Sequence, residues 1–176
     1  LGGEATWVIM FNYQSSSCAN FDGPTTDTVS GTTLLASNWD SDVALLRLSE
    51  DPPPEYNVHF AGWSAVDTAP PHTVCIHHPS GDIKKITFDD DPPVSTTYGG
   101  TPAHSHWKTV QYELGTTEPG SSGSPLFDDL HRVIGQLHGG TAACDGMEPN
   151  DQPDYYGKFA LSWDNGATPA QRLRDW

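Results

Sequence analysis

The 176-residue sequence has 8 Lys and Arg against 23 Asp and Glu, a formal net charge of −15 that argues against a phosphate-binding surface and so against a nucleic-acid partner. No apolar run approaches the length of a membrane span, so no membrane partner is expected. With 17 Gly and 15 Pro the composition suits a turn-rich β protein, and six Trp and six Tyr supply ring area for a core.

Short apolar or alternating runs predict strands, in chain order, over residues 6–13, 31–36, 43–48, 58–63, 72–77, 83–88, 107–114, 125–128, 132–138 and 155–163. Clusters such as Glu50-Asp51-Pro52-Pro53-Pro54 and Asp89-Asp90-Asp91-Pro92-Pro93 separate them, because proline removes a ladder donor. Lys84 and Lys85 read as exposed positions on an edge-like strand. One helix is signalled, over 170–176, with Thr168 as N-cap and Pro169 in the first turn. Many short strands with a terminal helix predict an antiparallel barrel or sandwich. Cys18, Cys75 and Cys144 form no CxxC pair, so neither a zinc nor a redox motif is supported. The chain starts at Leu1 with neither an initiator Met nor a signal peptide, and reads as a processed or truncated piece.

The segment that carries chemistry is Glu118-Pro119-Gly120-Ser121-Ser122-Gly123-Ser124-Pro125. Small neighbours leave the Ser122 hydroxyl approachable, and the glycines let the backbone turn so that the Gly120 and Ser122 amides converge. Two such donors stabilise a developing oxyanion, each worth about 3 kcal/mol. A plain Gly/Ser-rich loop is the bland alternative. The nucleophile-elbow pattern G-x-S-x-G is not met, since Ser124 stands at the last glycine. Asp42 heads an apolar strand, either capping it or serving as a buried carboxylate that orients a histidine. In Gly135-Gln136-Leu137-His138-Gly139-Gly140 a strand runs into a glycine pair, along which a substrate backbone can lie.

GSSGSP resembles the G-D-S-G-G-P of chymotrypsin-like serine proteases, and SDVALLRL resembles their D-I-A-L-L strand. The resemblance is closer to the bacterial secreted lysyl endopeptidases. It rests on FNYQSSSC, HFAGW, IHHP, TEPGSSGSP, GQLHGG followed by Cys144, DYYG and RLRDW, and so covers nearly the whole chain. It implies an all-β, chymotrypsin-like double antiparallel β-barrel with a short C-terminal helix. Residues 1–60 would be the remainder of an incomplete first barrel, 61–166 the second barrel, and 167–176 the helix. It implies Ser122 as nucleophile, Asp42 as the orienting acid, and the Gly120 and Ser122 amides as the oxyanion hole. It also implies a secreted, monomeric endopeptidase that needs no cofactor or metal and cleaves polypeptides after lysine. Asp154 of DYYG matches the family's lysine-pairing acid, with Asp151 as its rival and Glu148, Asp151, Asp154 and Asp164 as the acids of the region. Six residues before the serine stands Thr116, so a trypsin-style pocket is not supported. His138, Gly139 and Gly140 match the cleft wall, and Tyr98 stands where close relatives carry a Trp beside the catalytic histidine.

The family's chain order is His, Asp, Ser, yet the first of the eight histidines is His59, after Asp42. The resemblance places the T-A-x-H-C segment just upstream of Leu1, together with the cysteines that would pair with Cys18 and Cys144; Cys75 matches no family cysteine and reads as a buried thiol. The chain alone is therefore expected to be inactive, because a serine without its base retains only about 10³–10⁴ over water, as measured in the serine-protease system from which the figure comes. The first barrel is expected to carry an unpaired edge. The alternative is a non-catalytic pseudoprotease that binds peptides. A metal module built on the histidines is disfavoured: His77 and His78 face opposite sides of a strand, and His104-Ser105-His106 lacks a further ligand at a familiar spacing. The acidic surface would draw in basic peptides.

Overall fold

A computed structural model describes residues 2–144, 146 and 149–176; Glu148 lies outside them. β1 (Val8–Met10) pairs antiparallel with β2 (Thr28–Ser30), and β3 (Thr32–Asn38) with β4 (Val43–Leu48). β4 has the bounds expected from its apolar run. Among the described residues these two ladders are separate sheets.

The remaining strands are β5 (Gly62–Trp63), β6 (Thr73–His77), β7 (Lys85–Asp89), β8 (Val94–Thr96), β9 (His106–Thr109), β10 (Pro125–Phe127), β11 (Arg132–Gly140) and β12 (Asp154–Lys158). They form one eight-stranded sheet in the order β7-β6-β10-β11-β12-β9-β8, with β5 parallel to β11. The chain is thus all-β with one short helix, and among the described residues the ladders close no barrel: β7 and β8 end the path. The strand expected over 58–63 shrinks to two residues, and Phe60 is left exposed.

Inward-facing residues of five strands build the core. Cys75 of β6, Trp107 of β9, Leu126 of β10, Ile134 and Leu137 of β11, and Tyr156 of β12 form one buried cluster. Burying each large apolar side chain of this kind contributes about 1.5–3 kcal/mol. The apolar surroundings push the Cys75 thiol up to about 12, so it stays protonated.

The helix expected over 170–176 is not there. That stretch holds a single 3-10 turn, Pro169–Gln171, with no side-chain cap at Thr168. The α-helix, α1, is Phe159–Asp164, within the run expected to continue as a strand to residue 163. Phe159 and Trp163 stand one helical turn apart, and both pack on Trp63, Phe159 stacked at 5.3 Å and Trp163 tilted at 4.4 Å between ring centroids. That long-range packing outweighs the strand preference of the aromatic sequence.

β3 and β4 turn through the 3-10 segment Trp39–Ser41, where Asn38 Oδ1 accepts the Asp40 amide at 3.0 Å. This turn is docked onto the large sheet. Ser41 is fully buried, its carbonyl accepts from Gln136 Nε2 at 2.6 Å, and Ser162 Oγ donates to its hydroxyl at 2.9 Å. A Cβ placed on Gly157 would lie 1.7 Å from the Ser41 carbonyl oxygen, so only glycine permits this approach.

Candidate functional site

The loop from Glu118 to Ser124 enters β10 through two left-handed glycines, Gly120 (φ +99°) and Gly123 (φ +85°). It is tied down from beneath. Ser121 is fully buried, and its Oγ accepts the Glu118 amide at 3.3 Å and meets His77 Nδ1 at 2.9 Å. With the amide donating to that oxygen, the Ser121 proton is left for Nδ1. The Gly123 amide donates to the Leu137 carbonyl at 2.7 Å, and the Leu137 amide donates to the Ser124 carbonyl at 2.9 Å. Held this way, Ser122 is exposed at the crest. Among the described residues no hydrogen bond is made by the Gly120 or Ser122 amide.

His77 underlies the loop, its Nδ1 on the Ser121 hydroxyl. Burial, aided by His78, lowers its pKa to about 4, so it is neutral. His78 faces the other way, bonding the Asp82 carbonyl through Nδ1 at 3.0 Å and stacking on Tyr13.

Asp42 follows the docked turn in a left-handed conformation (φ +51°, ψ +45°), which Asp tolerates better than most residues. Its half-exposed carboxylate and the Ser122 loop wall one cleft of about 310 Å³. Asp42, Val43, Gly123, Pro125, Gln136 and Phe159 are among its lining residues. Burial raises the Asp42 pKa, and attraction to His138 opposes the rise.

His138 is the extra residue of a bulge. Leu137 pairs with Tyr156 and Gly139 with Tyr155, so two residues of β11 oppose one of β12. Bulges of this kind re-aim a side chain. Its Nε2 lies 3.9 Å from Asp42 Oδ2, and its Nδ1 lies 2.9 Å from His106 Nε2. Sequence reasoning missed this role for His106. The residue is fully buried, and its Nδ1 meets Ser105 Oγ at 2.7 Å, which in turn meets Thr101 Oγ1 at 2.7 Å. Burial, then the neighbouring His138 and Lys158, lower its pKa to about 4. The His104–His106 chelate does not form: His104 is exposed and bonds Ser95 Oγ at 3.3 Å. The local sequence, Ala103-His104-Ser105-His106-Trp107-Lys108, gives no signal of such a network. Tyr98 stacks face to face on Tyr155 at 4.2 Å and meets the His138 ring edge-on at 5.0 Å. Its hydroxyl lies 3.4 Å from where a Gly139 Cβ would stand.

Asp154 opens β12 and is 2% exposed. Tyr112 donates to its Oδ2 at 2.7 Å, as does Thr117 Oγ1, and the Ala142 amide also bonds the carboxyl group. Burial raises its pKa, and these hydrogen bonds pull it back. A Cβ on Gly140 would fall 2.2 Å from Asp154 Oδ1, so the glycine backbone lies directly against the carboxylate. Asp151 is exposed, and Thr116 is half-buried with its hydroxyl on the Thr117 carbonyl. The structure therefore places Asp42 and Gly123, the neighbour of Ser122, on one cleft, sets His138 beside Asp42, and packs Tyr98 against His138 and Gly139. Asp154 lies beyond Gly140, under the glycine pair. Cys18 and Cys144 are exposed free thiols that line a second cleft of about 760 Å³, while Cys75 is a buried one.

The family model for the lysyl endopeptidase C-terminal domain matches residues 2–157. The chain is 30% identical over 167 residues to a lysyl endopeptidase of Pseudomonas aeruginosa, covering 89% of this chain and 34% of that relative. It thus spans about a third of the length of the curated relative it matches. Among solved structures, the active form of the Rv3671c protease from M. tuberculosis aligns at a TM-score of 0.49 and 20% identity, over 83% of this chain and 64% of that one. The inactive form of the same protease aligns at a TM-score of 0.48 and 18% identity, over 73% and 61%. Among the described residues no helix is long and apolar enough to cross a membrane.

Proposed function

Because this chain belongs to the lysyl endopeptidase C-terminal-domain family, a family of serine proteases, we propose that it is the Ser- and Asp-bearing part of a secreted endopeptidase cleaving after lysine. The observation that carries the reading is the exposed Ser122 on a glycine-bracketed loop whose Gly123 lines one cleft with Asp42.

In this reading Ser122 Oγ attacks the scissile carbonyl carbon and gives its proton to an imidazole. The carbonyl oxygen, now an anion, is received by the Gly120 and Ser122 amides. Collapse of the tetrahedral adduct breaks the C–N bond, and the imidazolium returns its proton to the departing amine. Water then hydrolyses the acyl-enzyme by the same route. Asp42 fixes the imidazole's orientation and stabilises its charged form. Tyr98, His138, Gly139 and Gly140 line the path of the substrate. The lysine ammonium pairs with Asp154, whose carboxylate is costly to bury alone and gains a counter-ion when substrate binds.

No histidine precedes Asp42 in this chain. His138, which does lie beside Asp42, follows the serine and is bonded through Nδ1 to His106. The proposal therefore includes that these 176 residues alone do not turn over substrate.

The test compares fluorogenic peptides bearing Lys, Arg or Ala before the scissile bond. The full-length protein is expected to prefer Lys, to lose about 10⁴–10⁶ in kcat on Ser122→Ala, and to lose its Lys preference on Asp154→Asn. The isolated chain is expected to be silent. Turnover by the isolated chain that Ser122→Ala abolishes would overturn the inactivity. Tight Lys-peptide binding by the full-length protein without hydrolysis would support the pseudoprotease instead.

A further inference from the structure

Away from this cleft, at the edge of the large sheet, β7 carries an acidic row that the proposed reaction does not use. Thr73 of β6 stands directly opposite Asp89 of β7. On the other side of β7, Phe88 bridges Leu114 antiparallel, which sets Glu113 opposite Asp89. Residues directly opposite in adjacent strands project from the same face. Thr73, Asp89 and Glu113 are therefore three rungs of one row. The Asp89-Asp90-Asp91 turn then folds Asp91 back over the row. Its amide donates to Asp89 Oδ1 at 3.0 Å, and the Asp90 amide donates to Glu113 Oε2 at 2.7 Å.

We propose that Asp89, Asp91 and Glu113, together with the Thr73 hydroxyl, form a site for a calcium ion. One carboxylate oxygen from each of the three acids lies within 4.8 Å of the others. Two oxygens on opposite sides of a calcium ion at ~2.3–2.6 Å stand about 4.6–5.2 Å apart, so the three can share one ion. Like charges gathered this closely repel, and among the described residues no lysine or arginine forms an ion pair with any of them.

An independent observation comes from Thr73. It is 1% exposed, it belongs to the same row, and its Oγ1 has no hydrogen-bond partner. A buried hydroxyl without a partner is destabilising, and a cation bound in front of Asp89 would accept its lone pair. Asp89 itself is buried, so its carboxylate is largely cut off from water. The donors are all oxygens, with no imidazole or thiolate among them, which suits a hard cation and not zinc. The ion would link β7 to the segment that carries Tyr112 and Thr117, the two residues that donate to Asp154.

The test uses the full-length protein, stripped with EDTA and titrated with calcium chloride by calorimetry and thermal unfolding. Sodium chloride at matched ionic strength is the control, because a net charge of −15 responds to any salt. Expected is one site with a Kd of about 10⁻⁴–10⁻³ M, the range of extracellular calcium modules. At 5 mM calcium the midpoint should rise by roughly 3–6 °C beyond the salt control. Asp91→Asn, at an exposed position, and Glu113→Gln should each weaken calcium at least tenfold while leaving the calcium-free midpoint within a few degrees; Asp89→Asn should abolish binding. An absent calcium-specific heat and shift overturns the site, and so does a shift that persists in both Asp91→Asn and Glu113→Gln. Equal stabilisation by magnesium overturns the assignment to calcium.

Discussion

Residues 62–158 carry eight strands around a shared cluster of buried side chains, whereas β1 to β4 form two separate two-stranded ladders with only Val29 and Ala36 as buried apolar residues. Val8, Met10, Phe21, Trp39 and Phe60 remain exposed in the smaller part. A two-stranded ladder is at best marginal by itself. Asp42 is carried by this weakly cored part, and its position is secured by contacts with the strongly cored one and the segment after it: the Ser41 carbonyl against Gln136 Nε2 and Gly157, and Asn38 Nδ2 donating to the Asn165 carbonyl at 2.7 Å. The comparison teaches that the placement of the candidate orienting acid depends on docking and not on local stability.

The largest effect should come from damaging the strong side. Leu126→Ala empties the centre of the shared cluster and should cost about 2–5 kcal/mol, read as a lowered unfolding midpoint in urea. Next comes the seam. Gly157→Ala forces a methyl into the Ser41 carbonyl and should cost about 1–3 kcal/mol. By displacing Asp42 it should also lower the proposed peptidase kcat/KM of the full-length protein by about 10²-fold, more than its stability loss explains. An intact kcat/KM in Gly157→Ala would break the comparison. Gln136→Leu removes one bond to the same carbonyl and should cost about 1–3 kcal/mol in unfolding, with a smaller kinetic effect.

Acidification should act on two buried histidines of the strong side. His77 and His106 have folded pKa values near 4, below their unfolded value of about 6.5, so the unfolded chain binds more protons between those limits. The part of stability that these two histidines contribute should be fully present above pH 6.5 and be lost as pH falls towards 4, on the order of 1–3 kcal/mol for each residue, opposed by Asp89 and Asp154, whose pKa values burial raises. His106 faces His138 and Lys158, and His77 faces His78, Glu118 and Lys85. His106→Asn should flatten the decline in denaturation curves taken across that range. Smallest of all, Lys84→Ala breaks only an exposed bond to Gln14 and should change stability by less than about 0.5 kcal/mol.

Much of the strand order was legible, because alternation and proline clusters are local signals; residues 43–48 are the clearest instance. β2 and β8 were not, since three residues among Thr, Ser and Pro carry no measurable period. The helix Phe159–Asp164 was hidden because the partner that selects it, Trp63, lies about a hundred positions away. At the candidate site, the turns at Gly120 and Gly123 were readable from the glycines themselves. His106 was not, because its partner His138 reaches it only through a bulge.

The two adjacent hydroxyls of the Ser121–Ser122 pair have opposite fates, one locked on His77 and the other turned outward. Deleting or inserting a single residue between Pro119 and the start of β10 would exchange them, sending the outward oxygen into the interior and the anchoring one into water. This stretch can therefore tolerate changes of spelling far better than changes of phase, and natural variation in it should conserve its count even where its letters drift.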